Sequence, residues 1–272
     1  MNNGNSLIKF SVIIPLIPKH VKYLGSLLKI LFDSNYPIFE IIVSGSDFNG
    51  NEKFRVEKIL DNYNDSIQKV FVATQDPQNP GENRNIGWSL AKGDYLVFCD
   101  ADDSYSPHRL QIISKIIDEL EPDVILHDFY NYIPFSIFKR FRHRNLEFMV
   151  SENELLQSTF GTSQYELLGS TLLKSTNVQL PERYSSKHNL TQGHLVVKRS
   201  IGVRYGNRPR GEDGEFLQNV LKSRLKVLYI PLKLSNYNRP YPSRILLDLK
   251  LRSIVKGSLI KRWFIAKFSL ME

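Results

Sequence analysis

Cysteine is almost absent from this sequence of 272 residues, which contains only Cys99. A single cysteine excludes an intramolecular disulfide and also a zinc site built on cysteines. Cys99 ends the apolar stretch 95–99, so we expect it to be a small buried side chain and not a nucleophile.

Long hydrophobic runs are absent as well, because no stretch approaches the roughly 18 uninterrupted apolar residues of a membrane-spanning helix. Residues 1–6 are uncharged and mostly polar, unlike the basic and then apolar start of a secretory signal. The composition, with 42% hydrophobic and 24% charged residues, is typical of a globular protein. These features predict a cytoplasmic protein.

Acidic residues are too few to balance the basic ones, since 36 Lys and Arg face 28 Asp and Glu. The excess is concentrated in residues 240–272, which contain seven basic and two acidic side chains. The rest of the chain is close to neutral, which argues against a nucleic-acid groove through the core. We therefore expect no nucleic-acid partner and a basic helical tail over residues 241–272.

The tail mixes its basic residues with apolar and aromatic ones. A helix of this kind can lie in the headgroup region of an anionic membrane. However, its basic positions fall around the whole helical wheel, which suits a helix packed on the domain equally well. Peripheral attachment to the cytoplasmic face of a membrane and a packed or partner-binding tail both stay open.

Strand and helix signals alternate along the first half of the chain. Short apolar, β-branched runs predict strands at 10–15, 39–43, 70–73 and 94–99, and helical spacing predicts helices at 21–32, 52–63 and 81–92. This alternation predicts an α/β fold with a mostly parallel sheet. In such sheets ligands bind beyond the carboxyl ends of the strands, which is where we expect the chemistry.

The second half is less regular. We predict a helix at 107–120, strands at 123–126, 194–198 and 227–230, and a helix at 212–222. An aromatic and basic block at 138–144 is either a solvated loop or a surface that faces an acceptor or lipid.

The strongest chemical signal is Asp100-Ala101-Asp102-Asp103, directly after a buried strand. Three carboxylates within four residues repel each other, so a cation is expected to offset their charge. Hard oxygen ligands suit Mn²⁺ or Mg²⁺ bridged to a diphosphate. The alternative, a turn followed by a helix cap, accounts for one of these acids and not for three.

Four segments together resemble the family 2 glycosyltransferases of the GT-A fold. They are the strand at 10–15, the strand at 40–43, the segment Gly81-Glu82-Asn83-Arg84-Asn85-Ile86-Gly87, and residues 93–103 with the aspartate motif. A strand at 196–199 followed by Gly211-Glu212-Asp213 is similar to the family's second signature. The resemblance implies a GT-A domain over residues 1–240, with a nucleotide-sugar half at 10–110 and an acceptor half at 111–240.

The resemblance also implies an activity, the transfer of one sugar from a nucleotide-diphosphate donor to an acceptor hydroxyl with inversion. It places the metal on Asp100 and Asp102 and the general base on Asp213, with Glu212 as the competitor. The acceptor would be a glycan or a lipid-linked molecule, in surface polysaccharide or glycolipid assembly. A processive synthase is disfavoured, because the Gln-x-x-Arg-Trp signature is missing around Trp263.

By the same resemblance, the donor-contacting residues are Pro15, Asp47, Arg84, Asn85, Asp100 and Ala101. The sequence departs from the family after its second strand, where Ser44-Gly45-Ser46-Asp47 replaces the usual aspartates and leaves Asp47 as a displaced candidate. This departure supports an alternative, a catalytically silent glycosyltransferase-like binding module. A sugar nucleotidyltransferase is disfavoured because residues 14–19 lack a glycine-rich phosphate loop.

Overall fold

A computed structural model of the chain describes residues 7–63, 66–132 and 195–238. The aromatic and basic block at 138–144 and the tail at 241–272 lie outside the described residues. The site discussed below lies within one compact unit, residues 1–130 and 144–237. In the described part of the chain, no helix is both long enough and apolar enough to cross a membrane.

Eight strands and five α-helices make up the described residues. The strands are β1 Phe10–Leu16, β2 Glu40–Gly45, β3 Gln68–Ala73, β4 Tyr95–Phe98, β5 Ser104–Tyr105, β6 Val124–Tyr132, β7 Leu195–Lys198 and β8 Val227–Asn238. The helices are α1 Val21–Phe32, α2 Gly50–Asp61, α3 Pro80–Leu90, α4 Arg109–Leu120 and α5 Glu212–Lys222, with a short 3-10 helix at Pro18–His20. Every predicted element in this part of the chain is present, whereas the two-residue strand β5 and the 3-10 helix at Pro18–His20 were missed.

The strands form one sheet in the order β3-β2-β1-β4-β7-β6-β8-β5. The first four strands are parallel, which confirms the prediction from the alternating first half. Strand β7 then inserts antiparallel between β4 and β6, and β5 pairs antiparallel with β8. The parallel half therefore has the carboxyl ends of β1, β2 and β4 together at one edge.

Alternating residues of the central strands pack on opposite faces of the sheet. On β1, Val12 and Ile14 join a core with α1, α2 and α4, whereas Ile13 joins a second core with α3 and α5. Both faces are covered, which explains why the central residues of β1, β2 and β4 are apolar on both faces and do not alternate with polar ones.

Helix α3 begins with a capping box. The Asn79 side chain accepts a hydrogen bond from the Glu82 backbone N–H, and the Glu82 carboxylate accepts one from the Asn79 N–H. Further along, α3 lies so close to β1 that a Cβ at Gly87 would come within 2.5 Å of Ile13 Cγ2. The cap and this close packing fix the position of α3, which carries Arg84 and Asn85.

A buried polar cluster joins β1, β2 and the start of β4 at the opposite edge of the sheet. Glu40 Oε1 accepts hydrogen bonds of 2.6 Å from Ser11 Oγ and from the Lys92 N–H, and Ser11 Oγ accepts one of 2.9 Å from the Gly93 N–H. Gly93 has no room for a side chain, because a Cβ there would lie 2.6 Å from both the Lys9 carbonyl oxygen and Ser11 Oγ.

We expect Gly93→Ala to lower the free energy of unfolding by about 1–3 kcal/mol, because backbone atoms must shift to admit the methyl group. Gly50→Ala is the matched control, since nothing lies within 4 Å of a Cβ at that position. It should be neutral or slightly stabilising, by less than about 1 kcal/mol. Urea unfolding measures both variants, and equal stability of the two would contradict the expectation.

Candidate active site

A buried arginine gathers three carboxylates from two other parts of the chain. Arg84 on α3 donates through Nη2 to Asp100 Oδ1 at 2.7 Å, and through Nη1 to Asp213 Oδ1 at 3.3 Å and Glu212 Oε1 at 3.5 Å. Asp100 follows β4, and Glu212 and Asp213 begin α5. The structure thus brings together four of the residues predicted for the site.

The Arg84 guanidinium is inaccessible, with 4% of its side chain exposed, and lies 5.6 Å from the centre of the Tyr205 ring. Burial alone lowers the pKa of Arg84, but Asp100 and Asp213 outweigh it and raise this pKa above its ordinary value. The group is therefore a permanent cation. It meets three acidic side chains, so the cluster carries excess negative charge unless a proton or a second cation is bound.

Asp213 and Glu212 occupy the first turn of α5. Helix amino ends favour acidic side chains, which accounts for their placement there. The preceding residue, Gly211, has φ +77°, the left-handed conformation that glycine adopts without strain. The Asp213 side chain is 21% exposed, and that of Glu212 is 9% exposed. Asp213 is therefore the more accessible of the two carboxylates to an incoming molecule.

Burial raises the pKa of Asp213 from its ordinary value near 3.8 to about 8, and the neighbouring carboxylates of Glu212 and Asp100 add to this rise. Arg84 acts in the opposite direction and lowers it. A carboxyl group with a raised pKa, held beside a sheet edge, is suited to accept a proton in the neutral pH range.

The segment 199–211, which leads from β7 to α5, is anchored against α3. Asn85 Nδ2 donates to the Tyr205 carbonyl oxygen at 2.9 Å, and the Tyr205 N–H donates to Asn85 Oδ1 at 3.1 Å. The Tyr205 ring stacks on Phe216 of α5 with centroids 4.2 Å apart. Asn85, predicted to contact the donor, thus holds the segment that places the start of α5.

The aspartate motif forms a tight turn in which the Asp103 N–H donates to the Asp100 carbonyl oxygen at 3.1 Å. Asp100 and Asp102 are partly exposed, whereas Asp103 is buried. Two of the three acidic residues of the turn are thus partly accessible, and these are the two that the sequence predicted as metal ligands.

The donor set of Asp100 and Asp102 fits a hard divalent cation only in part. Within residues 7–63, 66–132 and 195–238, no group of three or more His, Cys, Asp or Glu side chains is arranged to hold a metal. Two carboxylates are the usual protein contribution to a Mg²⁺ or Mn²⁺ site whose other ligands are phosphate oxygens and water. The residues present therefore fit a metal that binds together with a diphosphate.

His20, which the sequence analysis missed, lies near this turn. It ends the 3-10 helix that follows β1. The pKa of His20 is lowered from its ordinary value, because burial lowers it more than Asp102 and, more weakly, Asp100 raise it. Burial in turn raises the pKa of Asp102, and His20 opposes that rise. No pattern in the sequence marked His20, because the interaction joins the loops after β1 and β4.

The remaining predicted donor contacts lie at the same edge of the sheet. Pro15 is a partly exposed residue of β1 in register with Ser44 of β2, and Ala101 is buried in the aspartate turn. Asp47 follows β2 with φ +65° and an exposed side chain. The neighbouring Ser46 is bound to α3, since the buried Asn83 side chain of that helix donates to Ser46 Oγ at 3.0 Å.

Comparison with known proteins identifies relatives by sequence. The model of the family described as Glycosyl transferase family 2 matches residues 11–175. The chain is 28% identical over 223 residues to the poly(ribitol-phosphate) beta-N-acetylglucosaminyltransferase TarS of Staphylococcus aureus, over 76% of this chain and 37% of that protein. It is 25% identical over 172 residues to the GalNAc(5)-diNAcBac-PP-undecaprenol beta-1,3-glucosyltransferase of Campylobacter jejuni. This match covers 61% of this chain and 53% of that protein. The chain thus spans about a third to a half of these relatives' length.

Solved structures show the same fold. S. aureus TarS 1-349 in complex with UDP-GlcNAc matches with a TM-score of 0.61 and 17% identity, over 88% of this chain and 61% of that one. The mannosyltransferase PcManGT from Pyrobaculum calidifontis, in complex with GDP-Man and Mn²⁺, matches with a TM-score of 0.59 and 12% identity. This match covers 92% of this chain and 62% of that one. The expected GT-A fold is confirmed.

The raised pKa of Asp213 predicts a stability that decreases as pH rises. The folded protein binds this proton more tightly than the unfolded chain, so the stabilisation is complete below about 3.8 and is lost as pH rises through about 8. Asp213→Asn removes this titration. The variant should exceed the unaltered protein in stability by about 1–3 kcal/mol at pH 9, and by less at pH 5.

Urea unfolding at pH 5, 7 and 9 measures this difference. Asp118→Asn, which removes an exposed carboxylate on α4, is the control. A stability difference between Asp213→Asn and the unaltered protein that stays constant over this range would contradict the assignment.

Proposed function

The chain belongs to glycosyl transferase family 2, and on that basis we propose that it transfers one sugar from a nucleotide-diphosphate donor to an acceptor hydroxyl, with inversion at the anomeric carbon. The observation that carries the proposal is the cluster around Arg84. It links Asp100, from the aspartate motif, to Glu212 and Asp213, from the family's second signature, through contacts of 2.7–3.5 Å.

In this proposal the donor lies across the edge formed by the carboxyl ends of β1, β2 and β4. Asp100 and Asp102 would hold Mn²⁺ or Mg²⁺, which would supply positive charge to a leaving nucleotide diphosphate. Pro15, Asp47 and Ala101 line the donor site. Support comes from relatives of the same fold, whose structures contain UDP-GlcNAc in one case and GDP-Man with Mn²⁺ in another.

Arg84 and Asn85 serve the donor site indirectly. The Arg84 guanidinium is occupied by carboxylates, and the Asn85 amide is paired with the Tyr205 backbone. Both side chains hold the two halves of the site at a fixed separation. This is a positioning contribution, and such contributions are large when a base must meet an acceptor hydroxyl in line with the leaving group.

Asp213 acts as the general base. Its carboxylate accepts the proton of the acceptor hydroxyl as the oxygen attacks the anomeric carbon from the face opposite the leaving group, so one displacement inverts the configuration. Burial raises the pKa of Asp213, and the more buried Glu212 adds to this rise through its charge and a hydrogen bond. Only the deprotonated form of Asp213 serves as base, so the transfer rate should rise with pH.

The acceptor is a glycan or a lipid-linked molecule in surface polysaccharide or glycolipid assembly. The names of the two relatives support this, since one acts on poly(ribitol-phosphate) and the other on an undecaprenol-linked glycan. Arg208 and Arg210, exposed in the segment before Asp213, suit an acceptor that carries negative charge. A location on the cytoplasmic face of a membrane, through the tail at 241–272, is part of the same proposal.

A panel of UDP-, GDP-, CDP- and dTDP-sugars tests the proposal directly. Release of free nucleotide diphosphate from one donor, increased by a glycan or lipid-linked acceptor, is the expected result. Binding of a nucleotide sugar without turnover of any donor would support the silent binding module instead, a reading that rests on the altered segment 44–47.

The base assignment can be separated from folding and donor binding. Asp213→Asn should bind the donor nearly normally and lose transfer rate by about 10²–10⁴-fold, because only the proton acceptor is removed. Glu212→Gln, the matched control, should lose far less. NMR of the product should show an anomeric configuration opposite to that of the donor. An active Asp213→Asn with an inactive Glu212→Gln, or a retained configuration, would overturn the mechanism.

Transfer should depend on a divalent cation. Chelation should abolish turnover, and Mn²⁺ or Mg²⁺ should restore it. Asp102→Asn should lower the rate about 10²-fold, or about 3 kcal/mol of transition-state stabilisation, and should weaken binding of the nucleotide diphosphate with Mn²⁺ in calorimetry. Asp118→Asn, the exposed control on α4, should change neither. Full activity in excess chelator would remove the metal from the proposal.

A further inference from the structure

A buried tyrosine hydroxyl contacts the backbone of the aspartate turn. Tyr105 is 3% exposed and belongs to β5, where it is in register with Ser235 of β8. Its hydroxyl oxygen accepts a hydrogen bond of 2.8 Å from the Asp100 N–H. Asp100, the first aspartate of the motif, is thus held at its backbone N–H by Tyr105 and at its carboxylate by Arg84.

The Tyr105 ring is itself fixed by a buried cation. The Arg109 guanidinium lies 4.7 Å from the centre of that ring. Arg109 Nε donates to His127 Nε2 of β6 at 2.9 Å, and Nη1 donates to Cys99 Sγ at 3.4 Å. All four side chains are buried. The contacts run from His127 on β6 through Arg109 on α4 and Tyr105 on β5 to Asp100. Apart from Asp100, these residues have no part in the site proposed above.

We propose that Tyr105, held by Arg109, is a positioning residue that fixes Asp100 for binding a divalent cation together with a nucleotide diphosphate. This inference rests on the proposed function of the same site. A two-carboxylate site has little redundancy, so the angle of each carboxylate decides how tightly the cation binds. The backbone of Asp100 sets that angle, and Tyr105 is the side chain that holds this backbone.

Tyr105→Phe tests the inference, because it removes one oxygen and keeps the ring under Arg109. Tyr95→Phe is the matched control: Tyr95 is also buried and its hydroxyl donates to a backbone carbonyl, that of Pro122, at 2.7 Å. Arg109→Lys keeps the charge and removes the planar contact. Calorimetry with Mn²⁺ and UDP, GDP, CDP or dTDP measures binding, and turnover against Mn²⁺ concentration gives the metal requirement.

We expect Tyr105→Phe to weaken binding and to raise the Mn²⁺ concentration for half-maximal turnover, each by about tenfold, with a smaller loss of kcat at saturating Mn²⁺. Arg109→Lys should give the same pattern in weaker form. Tyr95→Phe should lower thermal stability without changing either constant. In the protein without ligand, the Asp100 amide should exchange with deuterium faster in Tyr105→Phe than in the control.

Two results would overturn the inference and are distinguishable from each other. If the unaltered chain binds a nucleotide diphosphate with Mn²⁺, and Tyr105→Phe binds it equally well, Tyr105 does not position Asp100. If the unaltered chain binds none of UDP, GDP, CDP and dTDP with Mn²⁺, the proposed function fails, and the inference fails with it.

Discussion

The interaction on which the site depends is the contact of one buried guanidinium with three carboxylates. Arg84 reaches Asp100 on one side and Glu212 and Asp213 on the other, at 2.7–3.5 Å. A buried cation without partners is very costly. The residues after β4 and the start of α5 are therefore constrained to stay together around Arg84. The close packing of α3 on β1 and the anchoring of segment 199–211 by Asn85 both maintain that arrangement.

The same cluster carries a net negative charge, because one guanidinium meets three carboxylates. The charge of Arg84 balances one carboxylate only, and Asp102 adds a further acidic side chain on the same turn as Asp100. Burial and mutual repulsion raise the pKa of Asp213 as a result. Such an arrangement does not favour stability, and sites of this kind are retained for what they bind or catalyse. The electrostatics thus support the chemistry that the family membership suggests.

Most of the fold could be predicted from the sequence, because buried parallel strands are continuous apolar runs and their helices have clear periodicity. Asp100, Asp102 and Asp213 could be singled out as candidates too, since acidic residues at strand and helix ends stand out, and their roles stay predictions. The partners of Arg84 could not, because they lie up to 129 positions away. Tyr105 was missed because a two-residue strand has no period. Asn85 was named as a donor contact, but its hydrogen bonds with the Tyr205 backbone could not be predicted, because they join positions 120 residues apart.

The sequence separations within the Arg84 cluster also bear on how the protein is made. Arg84 and Asp100 are 16 positions apart, whereas Arg84 and Asp213 are 129 apart. Chains are synthesised from the amino end and contacts of low separation form first, since they close short loops. The four parallel strands β1 to β4, which lie within residues 10–98, can therefore pair on the ribosome before residue 213 exists. The later contact with α5 then brings Glu212 and Asp213 to Arg84 and completes the cluster.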